Sequence, residues 1–159
     1  LGLALAANVP DGLAIEETIA RISAAGGLPV LPWAPGKWFF SRGRLVNRLV
    51  AAARPGALAL GDSSRRPIGW PVPAALRRAR ELGLPILPGS DPLPLPGEEQ
   101  QLGNYGFIAE APFDLEQPIL ALRALLAGAP GRIFPAGQRN PFFQMLSRLR
   151  RLRQKGKDN

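Results

Sequence analysis

The run Leu84-Pro85-Ile86-Leu87-Pro88-Gly89-Ser90-Asp91-Pro92-Leu93-Pro94 leaves the chain few ways to fold. Its apolar part, Leu84–Leu87, is short and fenced by prolines, which sit at strand ends but break helix interiors. A short buried strand ending in a small-residue turn satisfies it, and the turn delivers one carboxylate, Asp91. The carboxyl end of a parallel strand is where α/β proteins hold their functional acids.

The same pattern recurs along the chain. Leu1–Ala7, Leu28–Leu31, Ala57–Leu60, Tyr105–Ala109 and Arg132–Phe134 read as further strands. Helical spacing of apolar residues places helices at Ile15–Ala25, around Leu45–Val50, and at Ala74–Leu82, Leu115–Leu126 and Phe142–Arg153. Gly26-Gly27 and Gly83 are the stop signals of two of them. Uninterrupted apolar strands alternating with helices predict an α/β protein with a mostly parallel sheet. The expected architecture is the later portion of a β/α barrel, partial or distorted, with about five or six strands.

Length allows one domain with a real core: 159 residues. We expect the barrel-like part to fill residues 1–140 and a C-terminal amphipathic helix with a basic tail to fill 141–159. The 18 prolines are more than twice the usual share of about 5%, and many bound the apolar runs. With no cysteine and no histidine, disulfides, thiolate chemistry and imidazole metal ligands are excluded. The opening segment lacks the basic flank and length of a signal peptide, so it reads as a strand of a chain continuing upstream. No run approaches transmembrane length. The expected setting is cytoplasmic, without membrane contact.

A formal charge of +8 is concentrated at the end, in Arg148, Arg150, Arg151, Arg153, Lys155 and Lys157. These read as the solvated side of the last helix, complementing the negative pole of its dipole. Phe142, Met145, Leu146, Leu149 and Leu152 form the apolar stripe that ties it down. The tail has no aromatic residues interleaved for base stacking, which argues against nucleic acid as a partner.

Unusual residues gather in the loops after the strands. Trp33, Lys37 and Trp38 follow the second, Asp62, Arg65 and Arg66 follow the third, and Ser90 and Asp91 follow the fourth. Lys37, Arg65 and Arg66 can hold a phosphate or carboxylate, with Trp33 and Trp38 as walls and Ser90 beside them. Asp62 and Asp91 are the acids at strand ends, suited to acid–base work or to a divalent metal. The plainer alternatives are that Asp62 pairs with Arg65 or Arg66 and that Asp91 caps its own turn. Glu98 and Glu99 read as solvated loop residues.

Gly26-Gly27-Leu28-Pro29-Val30-Leu31-Pro32-Trp33, followed later by Gly89-Ser90-Asp91-Pro92-Leu93, resembles the later motifs of the polymerase and histidinol phosphatase (PHP) superfamily. The resemblance runs from about Leu13 to Phe107. It implies a distorted β/α barrel, metal-dependent phosphoester hydrolysis of an anionic small molecule, and a divalent ion (Mn²⁺, Mg²⁺ or Zn²⁺) held through Asp91. The family's terminal Gly-Ser-Asp-x-His matches Gly89, Ser90 and Asp91, but Leu93 stands where its histidine belongs. Trp33 stands at a second histidine position. The alternative is therefore a non-catalytic binding or scaffolding module that has lost the metal site. Either version needs upstream strands or a partner chain to complete the barrel.

Overall fold

A computed structural model describes residues 1–5, 7–110, 114–127 and 133–156. The elements run β1 (Gly2–Leu3), α1 (Ile15–Ala24), β2 (Leu28–Pro32), α2 (Phe40–Ala52), β3 (Ala59–Ser63), α3 (Ala74–Glu81) and β4 (Ile86–Gly89). After a single 3₁₀ turn (Glu98–Gln101) come β5 (Tyr105–Ala109), α4 (Pro118–Ala127), β6 (Ile133–Gly137) and α5 (Phe142–Lys155).

Strands β2, β3 and β4 are parallel neighbours in sequence order, and β1 adds an antiparallel edge beside β2. The period of two along each strand divides its apolar side chains between two faces. Leu31 and Leu60 join Val46 and Val50 of α2 and Leu76 and Ala79 of α3, with Ile15 and Ile19 of α1 alongside. Val30, Ala59 and Leu87 belong to a second cluster with Leu126 of α4 and Phe107 of β5. Helices α1, α2 and α3 thus cover one face, while α4 and the β5–β6 pair cover the other.

The α/β class and the parallel central sheet match expectation, but among the described residues no barrel closes. Instead of extending the sheet, β5 and β6 pair antiparallel with each other and pack beside β4. They occupy the face that would line a barrel's interior. Gly137 ends β6 opposite Tyr105. Its φ of 76° suits glycine, and a Cβ there would collide with the carbonyl of Asn104.

Other expectations need correction. Among the described residues of the Leu1–Ala7 run, only Gly2 and Leu3 form a strand, and Ala4 turns away at φ 56°. Helix α4 starts at Pro118, not Leu115, because the Asp114 side chain accepts the amide N–H of Glu116 (2.8 Å) and of Gln117 (3.3 Å). That turn is followed by proline, which is at home in a first helical turn. Arg132, the expected start of β6, and Lys157 and Asp158 of the tail lie outside the described residues.

The last helix is tied down differently from expectation. Met145 of its stripe is buried, but so is Arg148, at 5% exposure. Arg148 forms a buried ion pair with Glu98, which is 4% exposed rather than solvated. The carboxylate also accepts the Leu93 amide at 3.0 Å. Arg151 and Lys155 donate to the carbonyls of Pro96 and Pro94. A proline-rich loop exposes carbonyls without offering N–H partners, and the cationic side of α5 satisfies them.

Candidate functional site

A cleft of about 290 Å³ opens where the three parallel strands end. β2 contributes Val30 and Pro32, with Trp33 just beyond it; β3 contributes Gly61, Asp62 and Ser63; β4 contributes Leu87 and Gly89, with Asp91 just beyond. Leu3 and Phe107 close it from β1 and β5. Its walls are largely apolar, and its polar groups gather at the ends of β3 and β4.

Asp91 holds a left-handed backbone conformation, φ 45°, a region that aspartate tolerates better than most residues. Its Oδ2 accepts the Ser63 hydroxyl at 3.0 Å and pairs with the Arg65 guanidinium. Ser63 Oγ in turn accepts the Arg65 amide at 3.2 Å. Asp91 therefore does not cap its own turn but bridges two strand-end loops. Among the described residues Oδ1 has no hydrogen-bond partner, and the side chain is 39% exposed at the cleft.

Asp62 is held differently. Both its oxygens accept from Arg66, at 2.7 and 2.6 Å, and Oδ2 also accepts the Tyr105 hydroxyl at 3.0 Å. Asp62 and Arg66 are each 6% exposed. The carboxylate lines the cleft, yet each of its oxygens already accepts a hydrogen bond. Ser90 serves through its backbone, its carbonyl accepting Ser64 Oγ at 2.6 Å. Ser64 is locked further by the amide of Asn140, so the turns that follow β3 and β4 are fastened to the segment leading into α5.

Trp33, Asp62 and Asp91 come together as the sequence suggested. Arg65 and Arg66 sit behind the carboxylates as their partners. Lys37 and Trp38 line a separate cavity beside α2. Sequence reasoning missed Ser63, Tyr105 and Phe107. Ser63 was legible as the residue after Asp62 on the same strand end, whereas nothing local marks Tyr105, 43 positions away in sequence.

The tyrosine hydroxyl is the strongly shifted group here. Burial, then the negative charge of Asp62 and its hydrogen bond, push Tyr105 up from 10.0 to about 12. A raised folded value means stability is full below 10 and declines as pH climbs toward 12, because the unfolded chain gives up the proton first. As the chain's single tyrosine, it can be followed by tyrosinate absorbance. Native protein is expected to titrate near 12 and urea-unfolded protein near 10. Tyr105→Phe is expected to remove that part of the alkaline stability loss. Equal titration in both states would contradict the geometry.

The metal implied by the family resemblance does not fit these residues. Both oxygens of Asp62 already accept from Arg66 or Tyr105, and among the described residues no group of three or more acids converges as a ligand set. What the cleft offers is an apolar wall and one half-free carboxylate oriented by Ser63 and Arg65. No protein family, no curated protein and no solved structure matches this chain.

Proposed function

We propose that the chain is a small-molecule-binding module whose ligand lies in the strand-end cleft against Trp33, Leu87 and Phe107 and donates a hydrogen bond to Asp91. The observation that carries this reading is Asp91 itself, tethered through Oδ2 while Oδ1 is left as an acceptor at the cleft. A fixed polar group in an apolar cleft is the usual make-up of a ligand site. The cleft lining contains carboxylates and no lysine or arginine side chain, which favours a neutral or cationic donor over the anionic ligand expected from the sequence.

The architecture supports a relationship to the PHP-type barrel in one respect. Sequential parallel strands with their helices on one face make up the repeating unit of such a barrel, and β2–α2–β3–α3–β4 follows that order. Under this reading the chain is a barrel segment whose inner face is filled by α4 and the ribbon. No described helix is long and apolar enough to cross a membrane, and a cytoplasmic setting belongs to the same proposal.

Phosphoester hydrolysis is the second reading, supported by the position of Asp91 where a general base would stand. A phosphoester panel with added Mn²⁺, Mg²⁺ or Zn²⁺ separates the two, and we expect no turnover. Metal-dependent turnover abolished by Asp91→Asn would install the hydrolase reading instead. The same variant is expected to cost less than about 1 kcal/mol of stability, because the Arg65 pair is partly exposed and asparagine tolerates the left-handed backbone.

A further inference from the structure

A second cavity, about 340 Å³, lies on the helix-covered side of the sheet beyond the end of β2. Its wall is apolar, from Ile15, Leu31, Leu45 and the Trp38 ring, and Lys37 and Arg42 complete it. Among the described residues neither cation has a carboxylate partner; the ion pairs there are made by Arg21, Arg65, Arg66, Arg78 and Arg148. From Thr18 to Gly61 the sequence contains no acid at all, and Glu17 on the neighbouring helix is taken by Arg21 at 2.6 Å. Arg42 sits in the first turn of α2, where the helix dipole is positive. That turn contains no acidic residue, and Phe39 ahead of it supplies no side-chain cap.

Two exposed cations without carboxylate partners, on the rim of an apolar hollow, define a chemistry. We infer that this cavity binds an organic anion, a carboxylate on a compact apolar body, with the body against Trp38 and Leu45 and the head group between Lys37 and Arg42. The volume is at the lower end of the range for ligand sites, about 300–1,000 Å³, so the ligand is small. This is the anion site that the strand-end cleft does not provide, and it stands independently of the reading of Asp91.

The three tryptophans make the test specific. Trp33 reports on the strand-end cleft, Trp38 on this cavity, and Trp70 on a surface stack with Phe142. Indole N–H signals of the whole ¹⁵N-labelled chain are followed during titration with sodium octanoate and, separately, with 1-octanol. Octanoate is expected to shift Trp38 saturably, with octanol about tenfold weaker, the worth of a charge-assisted hydrogen bond. Lys37→Gln with Arg42→Gln is expected to erase that preference while octanol binding persists. Asp91→Asn is expected to leave octanoate binding unchanged. Equal affinity of wild type for the two probes would overturn the inference, as would parallel movement of all three indoles or a preference that survives the double substitution.

Discussion

Arg66→Met is expected to destabilise the protein by about 3–5 kcal/mol, the cost of leaving a buried partner charge uncompensated. For a chain of this size that corresponds to a melting temperature lower by roughly 10 °C. The physical reason is that Asp62, at 6% exposure, loses its partner cation and both hydrogen bonds from the guanidinium. The Tyr105 hydroxyl alone remains to it. Asp62→Asn combined with Arg66→Met removes the orphaned charge, so the double variant should cost clearly less than the two single losses added together. Urea unfolding followed by tryptophan fluorescence measures this cycle. Strict additivity would mean that the pair is not coupled and that the end of β3 is held by other contacts.

The second large effect is at the other end of the molecule. Arg148→Ala is expected to cost about 3–5 kcal/mol by the same logic, since Glu98 is left buried beneath α5. The loss should be specific to the pair: Arg150→Ala, on the exposed side of the same helix, is expected to change stability by less than about 0.5 kcal/mol. Acid gives an independent readout. Burial raises the Glu98 carboxyl, but the hydrogen bonds from Arg148 and the Leu93 amide, with the charges of Arg148 and Arg151, outweigh it and hold the group below its ordinary 4.5. A lowered folded value contributes stability that is present above 4.5 and is lost as pH falls through the folded value. Arg148→Ala should therefore flatten the acid side of the stability curve below 4.5. An unchanged acid limb would show that the pair is not formed in solution.

These two pairs also show what the sequence could and could not reveal. Alternation of apolar runs with amphipathic segments located α1, β2, α3 and β4 to within a few residues, because that periodicity is local. Pairing direction is not local. Nothing within Tyr105–Ala109 or Ile133–Gly137 says that they choose each other over β4, and among the described residues no barrel closes there. The cations of α5 were equally opaque. Its arginines occupy consecutive turns, and only the position of the proline-rich loop decides that Arg148 points inward while Arg150 faces water. For the site, strand-end placement singled out Trp33, Asp62 and Asp91, which line one cleft. It could not separate a carboxylate with a free oxygen from one fully enclosed by Arg66 and Tyr105. Lys37 and Trp38 were grouped with them because they follow the same strand as Trp33, yet the chain turns after Trp33 and carries them to the helix-covered side.

The central claim is that Asp91 anchors a ligand in the strand-end cleft. Its most direct test is a screen of neutral and cationic fragments against the ¹⁵N-labelled chain, read at the Trp33 indole and repeated on Asp91→Asn. The account predicts fragments bearing a hydroxyl or ammonium group that move Trp33 but not Trp70, and that bind about tenfold more weakly once Asp91 is asparagine. A library that leaves Trp33 unmoved, or hits whose affinity ignores the Asp91→Asn change, would contradict it.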